Sequence, residues 1–212
     1  MPFPKTSFSK TCGYLACFAV LTGFATLPIN AACGTDGGTS AVTEIRDGET
    51  LLLADGRTIR LANIALPKRT HTTLEAEGRT EFEKQLTELL RSKKIELKLD
   101  DQKRDRYGRL FAHVIAIGDN NEHIWIQEHL VNAGLARVIA AGTAHECVRD
   151  LLTRENEARE GKRGLWKTEH FAVRPASESL LVGLINNYEI VEGVVQNVAE
   201  IKGRTYVNFG QD

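Results

Sequence analysis

What this 212-residue chain lacks is a surplus of positive charge: 27 lysines and arginines face 28 aspartates and glutamates, for a net charge of −1. A protein that coats nucleic acid by bulk electrostatics is usually strongly basic, so any phosphate binding here has to come from a local site. Apolar runs are short as well. The stretch from Tyr14 to Leu27 is interrupted by Gly, Thr and Cys, whereas a comfortable membrane span needs roughly 20 predominantly apolar residues. There is no internal repeat and no low-complexity segment. Cysteine is scarce, at four residues. The histidines show no metal-ligand spacing; only His123 and His129 lie near each other, without a Cys or acidic partner at a fixed offset.

The first residues have the three-part layout of a secretory signal: Lys5 and Lys10, the apolar stretch, then Ile29-Asn30-Ala31-Ala32. Residues 1–31 are therefore expected to be removed and the protein exported, to the periplasm or out of the cell, with no stable membrane association afterwards. A retained anchor and lipid attachment at Cys33 are the alternatives. Cys12 and Cys17 leave with the signal, and Cys33 and Cys147 remain for an oxidising compartment, where two thiols make one expected bridge. In the chain-entropy model a loop of that length gives a stabilisation on the order of 4 kcal/mol. The signal carries two lysines and no acid, which leaves 25 basic against 28 acidic side chains, a net of minus three.

Patterning divides the remainder. Residues 32–41, rich in Gly and Thr, read as a flexible leader. Val42 to Arg46, Thr50 to Ala54 and Thr58 to Ile64 read as strands joined by Asp47-Gly48 and Asp55-Gly56, and Asp-Gly between apolar runs is a strong hairpin signal. From Leu74 to Arg91 the period changes to helical, with Phe82, Leu86, Leu89 and Leu90 on one face. Ile95 to Leu99 and Leu110 to Ile117 are further strands, separated by a charged loop. Ile126 to Ala133, stopped by Gly134, and His145 to Glu160, closed by Gly161, are helices, the second with Cys147, Leu151 and Ala158 inward. This order describes an α+β fold: a five-stranded barrel of the oligonucleotide-binding kind with three packed helices, over residues 42–168. Residues 169–187 read as a linker and 188–212 as a β-rich extension of two strands joined through Lys202-Gly203-Arg204. An isolated hairpin is marginal in water, so this extension either docks on the barrel or is incomplete, and truncation is the expectation. A monomer is expected.

Several marks agree in order with this layout: Asp47-Gly48-Glu49-Thr50, Arg60-Leu61 leading to Pro67, Asp105-Arg106-Tyr107-Gly108-Arg109, Leu130-Val131 with Gly134-Leu135-Ala136, and Gly164-Leu165-Trp166. Together they resemble the staphylococcal nuclease (thermonuclease) family from about Val42 to Lys167. The resemblance implies hydrolysis of phosphodiesters with a calcium ion on carboxylates, two arginines on the phosphate and a glutamate acting on water. Guanidinium groups suit phosphate because they offer paired donors and stay charged, and positioned cations stabilise the charge gathered in the transition state.

Carried over by motif, the clamp arginines are Arg60 and Arg109, with Arg106 and Tyr107 as nucleotide contacts. An opposing reading has Arg60 and Arg109 merely paired with Asp47, Glu49 or Asp105. Glu49 falls at the first metal carboxylate, with Asp47 in support. Where the family reads Asp-Thr-Pro followed by its catalytic Glu, this chain reads Ala65-Leu66-Pro67-Lys68. One carboxylate where at least two are expected implies weak calcium affinity, and the water lacks its usual acceptor. Lys68 would instead add a cation for anion binding. His71, Glu75 or Glu77 could swing in as substitutes, and the stacking tyrosine expected after Ala136 is replaced by Arg137-Val138-Ile139-Ala140. Three functional readings result: a phosphodiester or nucleotide binder with calcium-dependent hydrolysis weak or lost; an active metal-dependent nuclease with a rearranged site using Glu49 with Glu75 or Glu77; and an envelope interaction module that does not bind nucleotides.

Overall fold

The computed structural model describes residues 33–66, 73–120, 122–140, 145–168, 171–177, 181–182 and 189–210, with the backbone alone at 73–75 and 101–103. The expected signal peptide and Lys68 therefore lie outside the described residues. Along the chain run β1 (Thr35–Arg46), β2 (Thr50–Leu53), β3 (Thr58–Leu61), β4 (Ile64–Ala65), α1 (Thr73–Leu90), β5 (Lys94–Arg104), β6 (Leu110–Ile117), β7 (His123–Trp125), α2 (Ile126–Asn132), β8 (Arg137–Val138) and α3 (His145–Glu160). A 3-10 turn (Gly164–Lys167) follows, then β9 (Val173–Pro175), β10 (Ile190–Glu192), β11 (Asn197–Ile201) and β12 (Arg204–Asn208).

The main sheet has the order β3-β2-β1-β5-β6-β7, and β3 also pairs with β6. That parallel pairing, Ile59 with Leu110 and Arg60 with Phe111, closes five strands into a ring, the architecture expected for an oligonucleotide-binding-type barrel. Strand alternation fills it: Leu51, Leu53, Ile59, Leu61, Ile95 and Leu97 are buried to within a few per cent. From α1, Phe82, Leu86 and Leu90 join the same core, as do Leu130 and Val131 of α2 and Cys147 and Leu151 of α3. Among the described residues no helix is long and apolar enough to cross a membrane.

Three differences from the sequence reading have local causes. The segment expected as a flexible leader is strand from Thr35 onward, because it pairs antiparallel with β5 through Thr35–Leu99 and Ala41–Lys94, and Cys33 anchors its start. The expected strand from Thr58 to Ile64 is split at Asn63, whose φ of 58° turns the chain. There the Asn63 carbonyl accepts a hydrogen bond from the Ile139 N–H at 2.9 Å, so Ile64 and Ala65 pair instead with Val138 and Arg137. Finally β5 runs on to Arg104 through a bulge, shortening the expected charged loop to the turn at 105–109.

Cys33 and Cys147, both buried, are joined in a disulfide across 114 positions, tying the start of β1 to α3. The C-terminal part begins on the barrel's flank. Phe171 packs with Ala158, Leu165 and Trp166, and Ile190 rests on that cluster. Within the expected linker, β9 pairs in parallel with β10, and Arg159 on α3 meets Glu192 at 2.8 Å. The final β11–β12 hairpin turns at Lys202-Gly203, both with positive φ, as a tight two-residue hairpin requires. Val198, Ile201, Tyr206 and Val207 on it are exposed.

Candidate phosphate-binding mouth

The tight turn between β1 and β2 puts Asp47 and Gly48 at positive φ and delivers Glu49 and Thr50 to the barrel rim. Space beside this turn is limited: a Cβ on Gly48 would press on Leu66, Arg79 and Glu83 at 3.2–3.3 Å. The Asp47 carbonyl accepts a hydrogen bond from the Arg79 guanidinium, which is itself paired with Glu83 at 2.9 Å. Thus α1 braces the turn.

Thr50 is the hinge of the site. It is the cross-strand partner of Arg60, and its hydroxyl accepts a hydrogen bond from Arg109 Nη1 at 2.7 Å. The two arginines, 49 positions apart in the chain, are therefore both tied to Thr50, Arg60 by strand pairing and Arg109 by a hydrogen bond. Arg109 is steered further by the turn at 105–109. Asp105 accepts hydrogen bonds from the backbone N–H groups of Tyr107 (2.9 Å) and Arg109 (3.0 Å), which is an Asx-type turn. Its other oxygen takes Arg109 Nε and Nη2, each at 2.7 Å. Burial pushes the Asp105 carboxyl up, but the hydrogen bonds from Arg109 and Tyr107 outweigh it and hold the group below the usual carboxylate range. Arg60 Nη2 pairs with Glu49 at 2.9 Å, and its guanidinium lies 5.9 Å from the Phe111 ring centroid.

The ring of Tyr107 is flanked by two guanidinium carbons, Arg106 at 4.9 Å and Arg109 at 5.2 Å from its centroid, yet Tyr107 is 67% exposed. An aromatic face beside cations is a surface on which a base can stack. The structure thus brings together Glu49, Arg60, Arg106, Tyr107 and Arg109. Lys68 lies outside the described residues, as does the Glu75 side chain, and Glu77 is exposed on α1. Thr50 and Asp105 are partners of Arg109 that motif matching alone underweights. Their signals are present: a Thr in register opposite Arg60, and an Asp two residues before Tyr107.

The described residues do not fit calcium. That ion takes six to eight oxygen ligands with more than one carboxylate. Here the Glu49 carboxylate is engaged by Arg60, Ala65 offers a methyl group, and no cluster of three metal-ligating side chains occurs among the described residues. A cation at Glu49 would have to displace a guanidinium 2.9 Å away.

No curated protein matches the chain. The sequence model of one family, Staphylococcal nuclease homologue, matches residues 58–168. The matched span runs from β3 to just past the 3-10 turn and includes Arg60, Arg106, Tyr107 and Arg109, while Asp47, Glu49 and Cys33 precede it. The match covers more than half of the 212 residues and agrees with the ring-closed barrel and its three helices, so the chain belongs to the staphylococcal nuclease homologue family and its function is related to nucleic acid.

Proposed function

We propose that this is an exported, monomeric nuclease-fold protein that binds nucleic-acid phosphodiesters or nucleotides through Arg60 and Arg109 and hydrolyses them weakly or not at all by the calcium route. The observation that carries this reading is Thr50, which is strand partner to one arginine and hydrogen-bond acceptor for the other. Each guanidinium has five N–H donors. Arg109 commits three, to Asp105 and Thr50, and Arg60 commits one to Glu49. The remainder can meet phosphate oxygens, and the Asp105 contacts orient the fork in the way a preorganised anion site needs. Arg106 and Tyr107 would hold the sugar and base side of the ligand. Export is supported by the Cys33–Cys147 bridge, since such bonds persist in oxidising compartments.

A second reading, in which the barrel is only a scaffold for protein contacts, is favoured by the same ion pairs, because Glu49 and Asp105 neutralise the two cations. Glu49→Gln separates the two. If the mouth grips phosphate, releasing Arg60 should tighten binding of a short oligonucleotide by about fivefold, the size of one modest charge contact, and Arg109→Ala should abolish it. A scaffold gives no binding in any of the three proteins at millimolar nucleotide. Digestion of DNA and RNA with calcium or with chelator tests the hydrolytic part: rapid chelator-sensitive cleavage would establish a working metal site and end the proposal of weak hydrolysis.

A further inference from the structure

Four successive residues, Asp47 to Thr50, join α1 to both arginines of the mouth. The Asp47 carbonyl accepts a hydrogen bond from the Arg79 guanidinium. Gly48 is buried, and a Cβ there would meet Arg79 Nη2 and Glu83 Oε1 at 3.3 Å. Glu49 pairs with Arg60 at 2.9 Å, and Thr50 accepts a hydrogen bond from Arg109 Nη1 at 2.7 Å. Where α1 holds the turn therefore decides where Glu49 and Thr50 hold the two cations.

The contacts of Arg79 serve the turn more than its own helix. Its side chain is 14% exposed, against 43% for Glu83. A helical ion pair four residues apart is more favourable with the acid first; here the cation comes first, so the pair adds little to α1. Glu83 Oε1, 2.9 Å from Arg79 Nε, instead steadies a guanidinium whose Nη2 is given to the turn. The helix itself is fixed at this point: one residue earlier, Gly78 lies so close to the Leu165 side chain that a Cβ would collide with it. The turn needs such an anchor. Asp47 and Gly48 are both left-handed, at φ of 45° and 73°, a conformation that costs free energy in a residue with a side chain such as Asp47.

We propose that Arg79 is a positioning residue of the mouth: through the Asp47 carbonyl it sets the places of Glu49 and Thr50, and so the geometry in which Arg60 and Arg109 meet a phosphate. Its effect on a ligand rests on the phosphate-binding reading above, whereas the placement is a property of the free protein. Arg79→Met keeps the alkyl stem and removes the donors, and Arg79→Lys keeps the charge without the planar fork. Guanidinium NMR of the ligand-free full chain reads the placement. In Arg79→Met the Arg60 and Arg109 side-chain resonances should shift, and Arg79→Lys should return them part of the way. Affinity for a short oligonucleotide should fall about fivefold in Arg79→Met, the size of one lost hydrogen bond. It should fall by less when Thr50→Val is already present, because the link to Arg109 is then already cut. Unmoved arginine resonances in Arg79→Met, or an affinity loss equal with and without the Thr50 hydroxyl, would overturn the proposal. Absence of binding by the unmodified protein would count against the phosphate reading alone, and the arginine resonances would still decide the role of Arg79. Should Arg79→Met fail to fold, Arg79→Lys carries the test: its ammonium cannot span Asp47 and Glu83 as the fork does, so the Arg109 resonances should shift by a smaller amount, and no shift refutes the role.

Discussion

At the scale of single residues, Thr50 and His113 carry the sharpest consequences. Thr50 is 4% exposed and its hydroxyl is the acceptor that positions Arg109. Thr50→Val keeps the strand shape but removes that acceptor. Nucleotide affinity should fall about three- to tenfold while stability changes by about 1 kcal/mol, as for loss of one hydrogen bond; titration alongside denaturant unfolding checks both. His113 is fully buried in β6, and neither ring nitrogen has a hydrogen-bond partner among the described residues. Burial pushes its pKa down from 6.5 to about 4, against the opposite pull of Asp100. The folded protein keeps the ring neutral where the unfolded chain would already take up a proton. Stability is therefore lost as pH falls from about 6.5 to about 4, by up to about 3 kcal/mol. Urea unfolding across that range should show the slope, and His113→Phe should flatten it.

Among elements, what was legible in the sequence was whatever has a short period. The Asp-Gly turns, the 3.6-residue stripe of α1 and the glycine-closed ends of α3 need only neighbouring residues to be recognised, and α3 and β6 fall where their patterns place them. The strand pairing of residues 35–41 was hidden because Thr, Gly and Asp carry no alternating apolar signal; β5 imposes the extended state from a distance. Asn63 likewise turns the chain for a partner at Ile139. At the site, the arginines and Tyr107 could be found by motif, and the pairings of Arg60 with Glu49 and of Arg109 with Asp105 were among those the sequence offered, whereas the Thr50–Arg109 hydrogen bond depends on register and could not be. One glycine shows how tightly elements meet. Gly134 has a φ of 73°, and a Cβ there would be driven into the Arg163 backbone carbonyl. Gly134→Ala should therefore cost about 3 kcal/mol or more, combining left-handed strain with a backbone clash, measurable as a lowered midpoint of thermal unfolding.

For the whole molecule, the Cys33–Cys147 bond closes the longest covalent loop in the described chain. Replacing both cysteines with serine should lower stability by about 4–5 kcal/mol in the chain-entropy model, and the melting temperature by on the order of 10 °C. Calorimetry of the oxidised and serine forms measures this directly; equal melting temperatures would mean that β1 is held by its strand pairings with β2 and β5 alone.

The parallel seam between β3 and β6 has an implication for assembly. Arg60 lies on β3, and Arg109 immediately precedes β6, so the two residues are brought to one seam only when Ile59 meets Leu110. Pairings this distant in sequence form late and slowly. On the proposed function, a chain stalled before ring closure would own both arginines and hold no phosphate, so ligand capture would report completion of the barrel, and an anion bound at the rim would act as a clasp on the last strands to join.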